Sequence, residues 1–239
     1  MKIRLDELLV IKGIAENRSK SRHMILDGLV TIEGNVFMKP GQTVVKESNI
    51  EIQEHEGYVG RGALKIKGAI EEFKISPKGL IVADVGASTG GFTDYLLKKA
   101  TEKVYAIDVG HDQLAPKLLS DKRVINMEGT NIRDIKKLDD LVDLAVVDLS
   151  YISLRVVLGS IFNLVKKGGD IITLIKPQFE AGPKVVGKDG VIKDIEKVNE
   201  ILEAFKSWAK ENGFNMLKII PSPITGKKGN KEFLAHFKK

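Results

Sequence analysis

From about residue 80 the chain alternates short, β-branched apolar runs with amphipathic stretches, an order that few architectures accommodate. The runs are "GLIVADVG" (79–86), "KVYAIDVG" (103–110), "RVINMEG" (123–129), "DLAVVDLS" (143–150) and "GDIITLIKP" (169–177). "FTDYLLKKA" separates the first two and "LRVVLGSIFNLVKK" the last two. Strands buried on both faces read as continuous apolar runs, and helical crossovers between them imply a parallel sheet. A long charged helix is expected around 191–212, followed by two closing strands, "FNMLKIIPSP" and "NKEFLAHFKK", as a hairpin at the sheet edge. The expectation is an α/β fold with a doubly wound, mostly parallel sheet of seven strands.

Residues 1–53 follow a different rhythm. "RLDELLVIKGI" places Leu5, Leu8, Leu9 and Ile11 or Lys12 at helical spacing. "SKSRHMILDGLV" opens on a serine in cap position and again spaces Met24, Ile25 and Leu29 helically. Short β-type runs separated by "EGN" and "KPGQ" turns come next, so a small α+β unit is expected. The polar, glycine-bearing stretch at 54–59 is the expected linker to a second domain over 60–239.

A chain of 239 residues, 43% hydrophobic and 29% charged, is long enough for two such domains without disulfides or structural metals. It has no cysteine, which excludes disulfide scaffolds, thiolate metal sites and cysteine nucleophiles. Four scattered histidines offer no ligand cluster, and no metal is expected. The N-terminus lacks the pattern of a signal peptide, and no segment approaches the ~20 apolar residues that span a bilayer. A cytoplasmic location is therefore expected. The net charge of +6 favours a polyanionic partner such as nucleic acid.

The first strand runs into "DVGASTGGFTDYLL" (84–97). Glycines there let the backbone turn sharply and approach a ligand, and the helix that follows adds a partial positive charge. The spacing G-x-x-x-G-G departs from the dinucleotide pattern G-x-G-x-x-G, and Asp84 inside the turn would repel a pyrophosphate. An acid in that place suits an amine-bearing ligand. Asp108 ends the second strand, where an acid commonly accepts hydrogen bonds from ribose hydroxyls. Together they point to a nucleoside carrying an amino acid, namely S-adenosylmethionine.

The same stretch resembles the S-adenosylmethionine loop of the TlyA (haemolysin A) family of ribosomal RNA methyltransferases. "YVGRGALKIKGAIEEF", "VVDLSYISL", "LIKPQFEAG" and "PSPITGKKGNKEFLAHF" resemble its other signatures in the same order, over nearly the whole chain. The resemblance implies an S4-like RNA-binding domain followed by a Rossmann-like methyltransferase domain similar to FtsJ (RrmJ). It implies S-adenosylmethionine-dependent 2′-O-methylation of ribosomal RNA, with a cytidine as the expected target and ribosomal RNA or a ribosomal subunit as partner. Family members with short termini have the narrower, large-subunit specificity, so the large subunit is favoured here and the small subunit is the alternative.

By motif, the Lys-Asp-Lys-Glu set of FtsJ-like enzymes falls on Lys65, Asp148, Lys176 and Glu232. Asp148 and Lys176 end the fourth and fifth strands, at the edge where such sheets place their sites. Lys176 is the candidate base for the ribose hydroxyl, because partial burial and a nearby Lys65 cation would lower its pKa. Asp148 limits that fall, so the choice between the two lysines stays open. Lys67, close to Lys65, is the alternative reading of the first motif. Cofactor contacts are expected from Asp84, Gly86, Ser88, Gly90, Gly91, Phe92, Asp108 and Asp148. Thr130 and Asn131 stand where the family contacts the adenine.

In the N-terminal unit, Arg18 and Arg22 are four apart on an expected helix and share a face, with Lys20, His23 and Arg4 nearby. Such a cluster is the expected RNA-backbone contact. Residues 1–59 carry 8 Lys or Arg against 9 Asp or Glu, a net of −1, so binding must come from clustering. Two rival readings stand beside the enzyme. A cytolysin is suggested by the family's name and opposed by the absence of a spanning or strongly apolar amphipathic segment. A ribosome-assembly factor without catalysis is opposed by the intact glycine loop and Lys-Asp-Lys-Glu set.

Overall fold

A computed structural model describes residues 2–26, 28–37, 39–52, 57–182, 185–187, 189–226 and 229–239. The N-terminal unit runs β1 (Lys2–Arg4), α1 (Leu5–Ile11), α2 (Arg18–Leu26), β2 (Val30–Ile32), β3 (Asn35–Val36), β4 (Thr43–Val45) and β5 (Ile50–Ile52). Its first strand was not legible as one. Lys2–Arg4 carries no apolar run, yet it pairs antiparallel with β4, with Ile3 opposite Val44. The second sheet has the order β3-β2-β5. Leu5, Leu8 and Leu9 of α1 meet Ile25, Val30, Ile32 and Val44 in one small core, whereas Ile11 points to solvent. The second helix begins one residue before the serine expected to cap it. Asn17 Oδ1 takes the Lys20 N–H, so asparagine satisfies the orphan donor.

The second unit runs α3 (Gly62–Phe73), β6 (Ile81–Val85), α4 (Gly91–Lys98), β7 (Lys103–Ile107), α5 (Pro116–Leu119) and β8 (Val124–Met127). It continues through β9 (Val142–Val147), α6 (Leu154–Leu164), β10 (Val165–Ile175), α7 (Pro177–Glu180), α8 (Ile195–Glu211), β11 (Asn215–Pro221) and β12 (Phe233–Lys238). Seven strands form one sheet in the order β11-β12-β10-β9-β6-β7-β8. Strands β6 to β10 are parallel to one another, and β12 runs antiparallel to both β10 and β11, as expected from the sequence. The closing pair stands at one side of the sheet as expected, with β12 between β10 and β11 and β11 at the edge.

The period-two pattern of the strands sorts their side chains onto two faces. Ala83, Val85, Ala145 and Val147 pack with α6 and α8 on one face, through Val157, Leu158, Ile161, Leu202 and Phe205. Val82, Leu144, Val146 and Ile172 pack with α3 and α4 on the other, through Ile66, Ile70, Phe92 and Leu96. Helix α6 stops at Leu164, short of the "VKK" expected to extend it. Val165 is already extended, and the Gly168–Gly169 pair, with Gly168 at φ 78°, cannot carry a helix onward. The charged helix is shorter than expected, starting at Ile195 behind an Asp194 cap. Of the expected linker, residues 54–56 lie outside the described ones. Its last part is tied to α4, where Val59 N–H donates to Asp94 at 2.9 Å and Lys98 lies 4.0 Å over the Tyr58 ring.

One ion cluster holds the N-terminal unit. Asp6 is fully buried and accepts Arg4 Nε and Nη2, both at 2.9 Å, and Arg18 Nη2 at 3.2 Å. The arginines, Arg4 foremost, outweigh burial and hold the Asp6 carboxyl at about 2. Removing it leaves two half-exposed arginines that water can reach. Asp6→Ala is therefore expected to cost about 1–3 kcal/mol, read as faster amide exchange in α1. A folded pKa below the unfolded value means this contribution is full above the ordinary carboxyl pKa of ~4. It is lost as pH falls through about 2. Equal exchange in mutant and wild type would show that the cluster does not support α1.

Candidate active site

Parallel strands end at one edge of the sheet, and an antiparallel neighbour begins there. Asp148 directly follows β9, Lys176 directly follows β10, and Glu232 directly precedes β12. Ile175 pairs with Phe233, so Lys176 and Glu232 are brought to the same edge by sheet register. Lys65 arrives from α3, on the face that packs against β6 and β9.

Asp148 is the centre of the group. Lys176 Nζ is 2.6 Å from its Oδ1, and Lys65 Nζ is 3.1 Å from its Oδ2. Lys65 Nζ is also 2.8 Å from Glu232 Oε2. Lys65, Lys176 and Glu232 are all buried. Burial pushes the Asp148 carboxyl up, but Lys176 and Lys65 outweigh it and hold it well below the usual carboxylate range. Burial likewise pushes the Lys65 ammonium down, and Asp148 with Glu232 more than reverses this, so it is raised. Lys65 is therefore a fixed cation whose charge is neutralised by two carboxylates. Lys67, two residues on, does not line the cavity.

These residues open into a cavity of about 1210 Å³. The loop after β6 forms one wall, with Gly86, Ser88, Gly91 and Phe92 lining it. Gly86 has φ 87°, and a Cβ there would come within 2.5 Å of the Asp148 carbonyl oxygen. Gly90 caps α4 at φ 94°, and its missing Cβ leaves room for Leu114 and Leu118 behind the loop rather than for the cavity. Both positions need glycine for backbone hand and close approach together.

Asp108 lies at the mouth. Its Oδ2 accepts Ser88 N–H and its Oδ1 accepts Gly110 N–H, both at 2.8 Å, so it fastens two loops while keeping lone pairs for a ligand. Thr130 and Asn131 line the same cavity, where Asn131 Oδ1 caps a short 3₁₀ turn at Arg133 N–H. Asp84 departs from its expected place. It is fully buried under the loop and does not line the cavity, with Oδ2 accepting the Thr93 hydroxyl at 2.6 Å. Burial pushes its carboxyl up to about 7 against the Thr93 hydrogen bonds. Its Oδ1 has no partner among the described residues.

Two residues beside the expected set escaped the sequence reading. Ser150 Oγ accepts from Lys176 Nζ at 2.9 Å. Tyr151, 93% exposed and at φ 66°, stands on the cavity rim with its ring 5.3 Å from that of Phe179. Both follow Asp148 within "DLSY", and only the turn of the chain after β9 gives them their directions.

The expected RNA-contact cluster is divided. Arg4 and Arg18 are engaged by Asp6, and the Arg4 guanidinium lies against Gly41. Lys20 pairs with Glu16 at 3.4 Å. Arg22 is exposed. His23, Lys39 and Pro40 line the far side of the cavity.

Comparison with known proteins places the chain. Residues 58–239 match the family model "FtsJ-like methyltransferase", and residues 3–50 match the S4 domain. The 16S/23S rRNA (cytidine-2′-O)-methyltransferase TlyA of Mycobacterium tuberculosis is 38% identical, over 96% of this chain and 87% of its own. Hemolysin A of Brachyspira hyodysenteriae is 42% identical, over 98% of this chain and 99% of its own. A provisionally named hemolysin from Streptococcus thermophilus, solved as a structure, has a TM-score of 0.78 and 37% identity, covering 100% of this chain and 88% of its own. The chain belongs to the FtsJ-like methyltransferase family and carries an S4 domain ahead of its methyltransferase domain.

Proposed function

We propose that this protein transfers a methyl group from S-adenosylmethionine to a ribose 2′-hydroxyl of ribosomal RNA, on a cytidine and with the large subunit favoured. The observation that carries the reading is the Lys65–Asp148–Lys176 charge chain, completed by Glu232, opening into the cavity that the glycine loop walls. The relatives named for cytidine 2′-O-methylation support the substrate class. No described helix is long and apolar enough to cross a membrane.

The donor set fits S-adenosylmethionine. Asp108 would take the ribose hydroxyls, Thr130 and Asn131 would border the adenine, and Ser88, Gly91 and Phe92 would contact the rest. Gly86 and Gly90 would shape the loop. Asp84 would act from below, tethering the loop through Thr93. When bound, the donor supplies a sulfonium methyl whose bond to sulfur breaks as the bond to the 2′-oxygen forms.

The protein's work is to place the hydroxyl and take its proton. Lys65 keeps its proton between two carboxylates and is unsuited as a base. Lys176 is therefore the group that meets the hydroxyl and accepts the proton as the oxygen attacks. Asp148 holds both lysines, and Glu232 keeps Lys65 in place. Orientation of this kind supplies on the order of 7–11 kcal/mol in well-aligned intramolecular reactions. The exposed Tyr151 ring at the rim gives the target base a face to stack on. Arg22, with the half-exposed Arg18 beside it and Lys20 and Arg4 at the margin, would hold the RNA backbone.

Lys176→Ala should slow single-turnover methylation of ribosomal subunits from a gene-deletion strain by roughly 10²–10⁴-fold. Lys65→Ala and Glu232→Ala should also be slow, while Lys67→Ala stays near wild type. Tritium transfer from labelled S-adenosylmethionine measures this, and a Lys176→Ala enzyme with a normal chemical step would refute the role.

Asp108→Ala should weaken S-adenosylmethionine binding by about 1–3 kcal/mol. Calorimetry on folded mutant and wild type checks it, and equal affinities would remove Asp108 from the cofactor site.

A further inference from the structure

Sheet register does more at this edge than bring Lys176 beside Glu232. In the parallel pair β9–β10, Ile172 lies opposite Val146 and Thr173 opposite Val147. The same offset, continued past the strand ends, sets Lys176 level with Ser150. The contact is made: Lys176 Nζ donates to Ser150 Oγ at 2.9 Å, while its link to Asp148 Oδ1 is 2.6 Å. The residue after Ser150 holds a conformation that side chains rarely adopt, Tyr151 at φ 66°. Such strain is kept where the surroundings require the turn. Here the turn leaves the serine facing the lysine and sends the tyrosine ring outward.

A lysine nitrogen has three positions besides its bond to Cε. One is taken by Asp148 and one by Ser150, so the direction of the third is set by geometry. With Asp148 alone, the amine could turn about its last bond and still keep its ion pair. We infer that Ser150 is the second anchor of the Lys176 amine and fixes the direction in which that amine meets the 2′-hydroxyl. Ser150 is thus a positioning residue, acting through Lys176. The inference rests on the reading of Lys176 as the base.

The proton has a balanced path in this arrangement. Lys176 is the neutral amine, with its two N–H bonds directed at Asp148 and Ser150 and its lone pair at the substrate. The 2′-oxygen gains the methyl carbon, and its hydrogen passes to that lone pair as the carbon–sulfur bond breaks. The serine is exposed, unlike the lysine, and so links the amine to solvent for the proton's later departure.

The test measures kcat and KM on ribosomal subunits from a gene-deletion strain, with S-adenosylmethionine as donor. Ser150→Ala should lower kcat by roughly tenfold to a hundredfold, the scale of a misaligned reacting group. KM for both substrates should stay within about twofold of wild type, as for an interaction felt in the transition state. Ser150→Thr, which keeps the hydroxyl, should recover most of the rate. Because Ser150 works through Lys176, the Ser150→Ala/Lys176→Ala double mutant should be no slower than Lys176→Ala alone. That comparison holds even if the single mutant loses some stability. A normal kcat in Ser150→Ala beside a slow Lys176→Ala would overturn the proposal and leave the base intact. So would a Ser150→Thr enzyme as slow as Ser150→Ala, or a double mutant slower than Lys176→Ala. A normal rate in Lys176→Ala would instead overturn the base reading itself, and this proposal with it.

Discussion

Asp148 is the constraint around which the site is built. A carboxylate at the end of a central strand is costly to bury, and it is held ionised here because two lysine side chains flank it. Each of those lysines would in turn be costly to bury without it. Removal of any one member leaves an uncompensated charge among side chains that are mostly buried. The group is therefore stable only as a set, which is what fixes four side chains from distant segments relative to one another.

The sheet makes that set possible. β6, β9 and β10 run parallel and end together, and the chain reverses so that β12 starts where they end. The site lies next to the point where strand order changes direction, with β7 and β8 on one side of β6 and β9 and β10 on the other. The glycine loop after β6 fits because Gly86 presents no Cβ to the Asp148 carbonyl. The glycine-loop wall and the charge chain are thus packed against each other through one glycine.

Much of this was legible in the residues. Continuous apolar runs announced buried parallel strands, and Asp108 and the glycine loop, read as a nucleoside site, line the cavity at their ends. The ordered motifs singled out Lys65, Asp148, Lys176 and Glu232, which stand together in the fold. Less legible were features decided by partners far away in sequence. Lys2–Arg4 became a strand because β4 was there to pair with it. Arg4 and Arg18 looked like a basic surface, yet a buried Asp6 draws them inward. Asp84, within the loop by sequence, turned beneath it to meet Thr93.

The sequence alone determined the alternation of strands and helices, the reversal at the closing pair, and the chemical types available at the sheet edge. Periodicity and turn residues are local properties, so they survive reading one residue after another. Only the tertiary structure decided which of two lysines is neutralised by two carboxylates and which is held by one carboxylate and a serine. That choice depends on register between β9, β10 and β12 and on the burial that makes each charge need its neighbour. Distances and desolvation belong to the folded chain, and no local pattern in the residues encodes them.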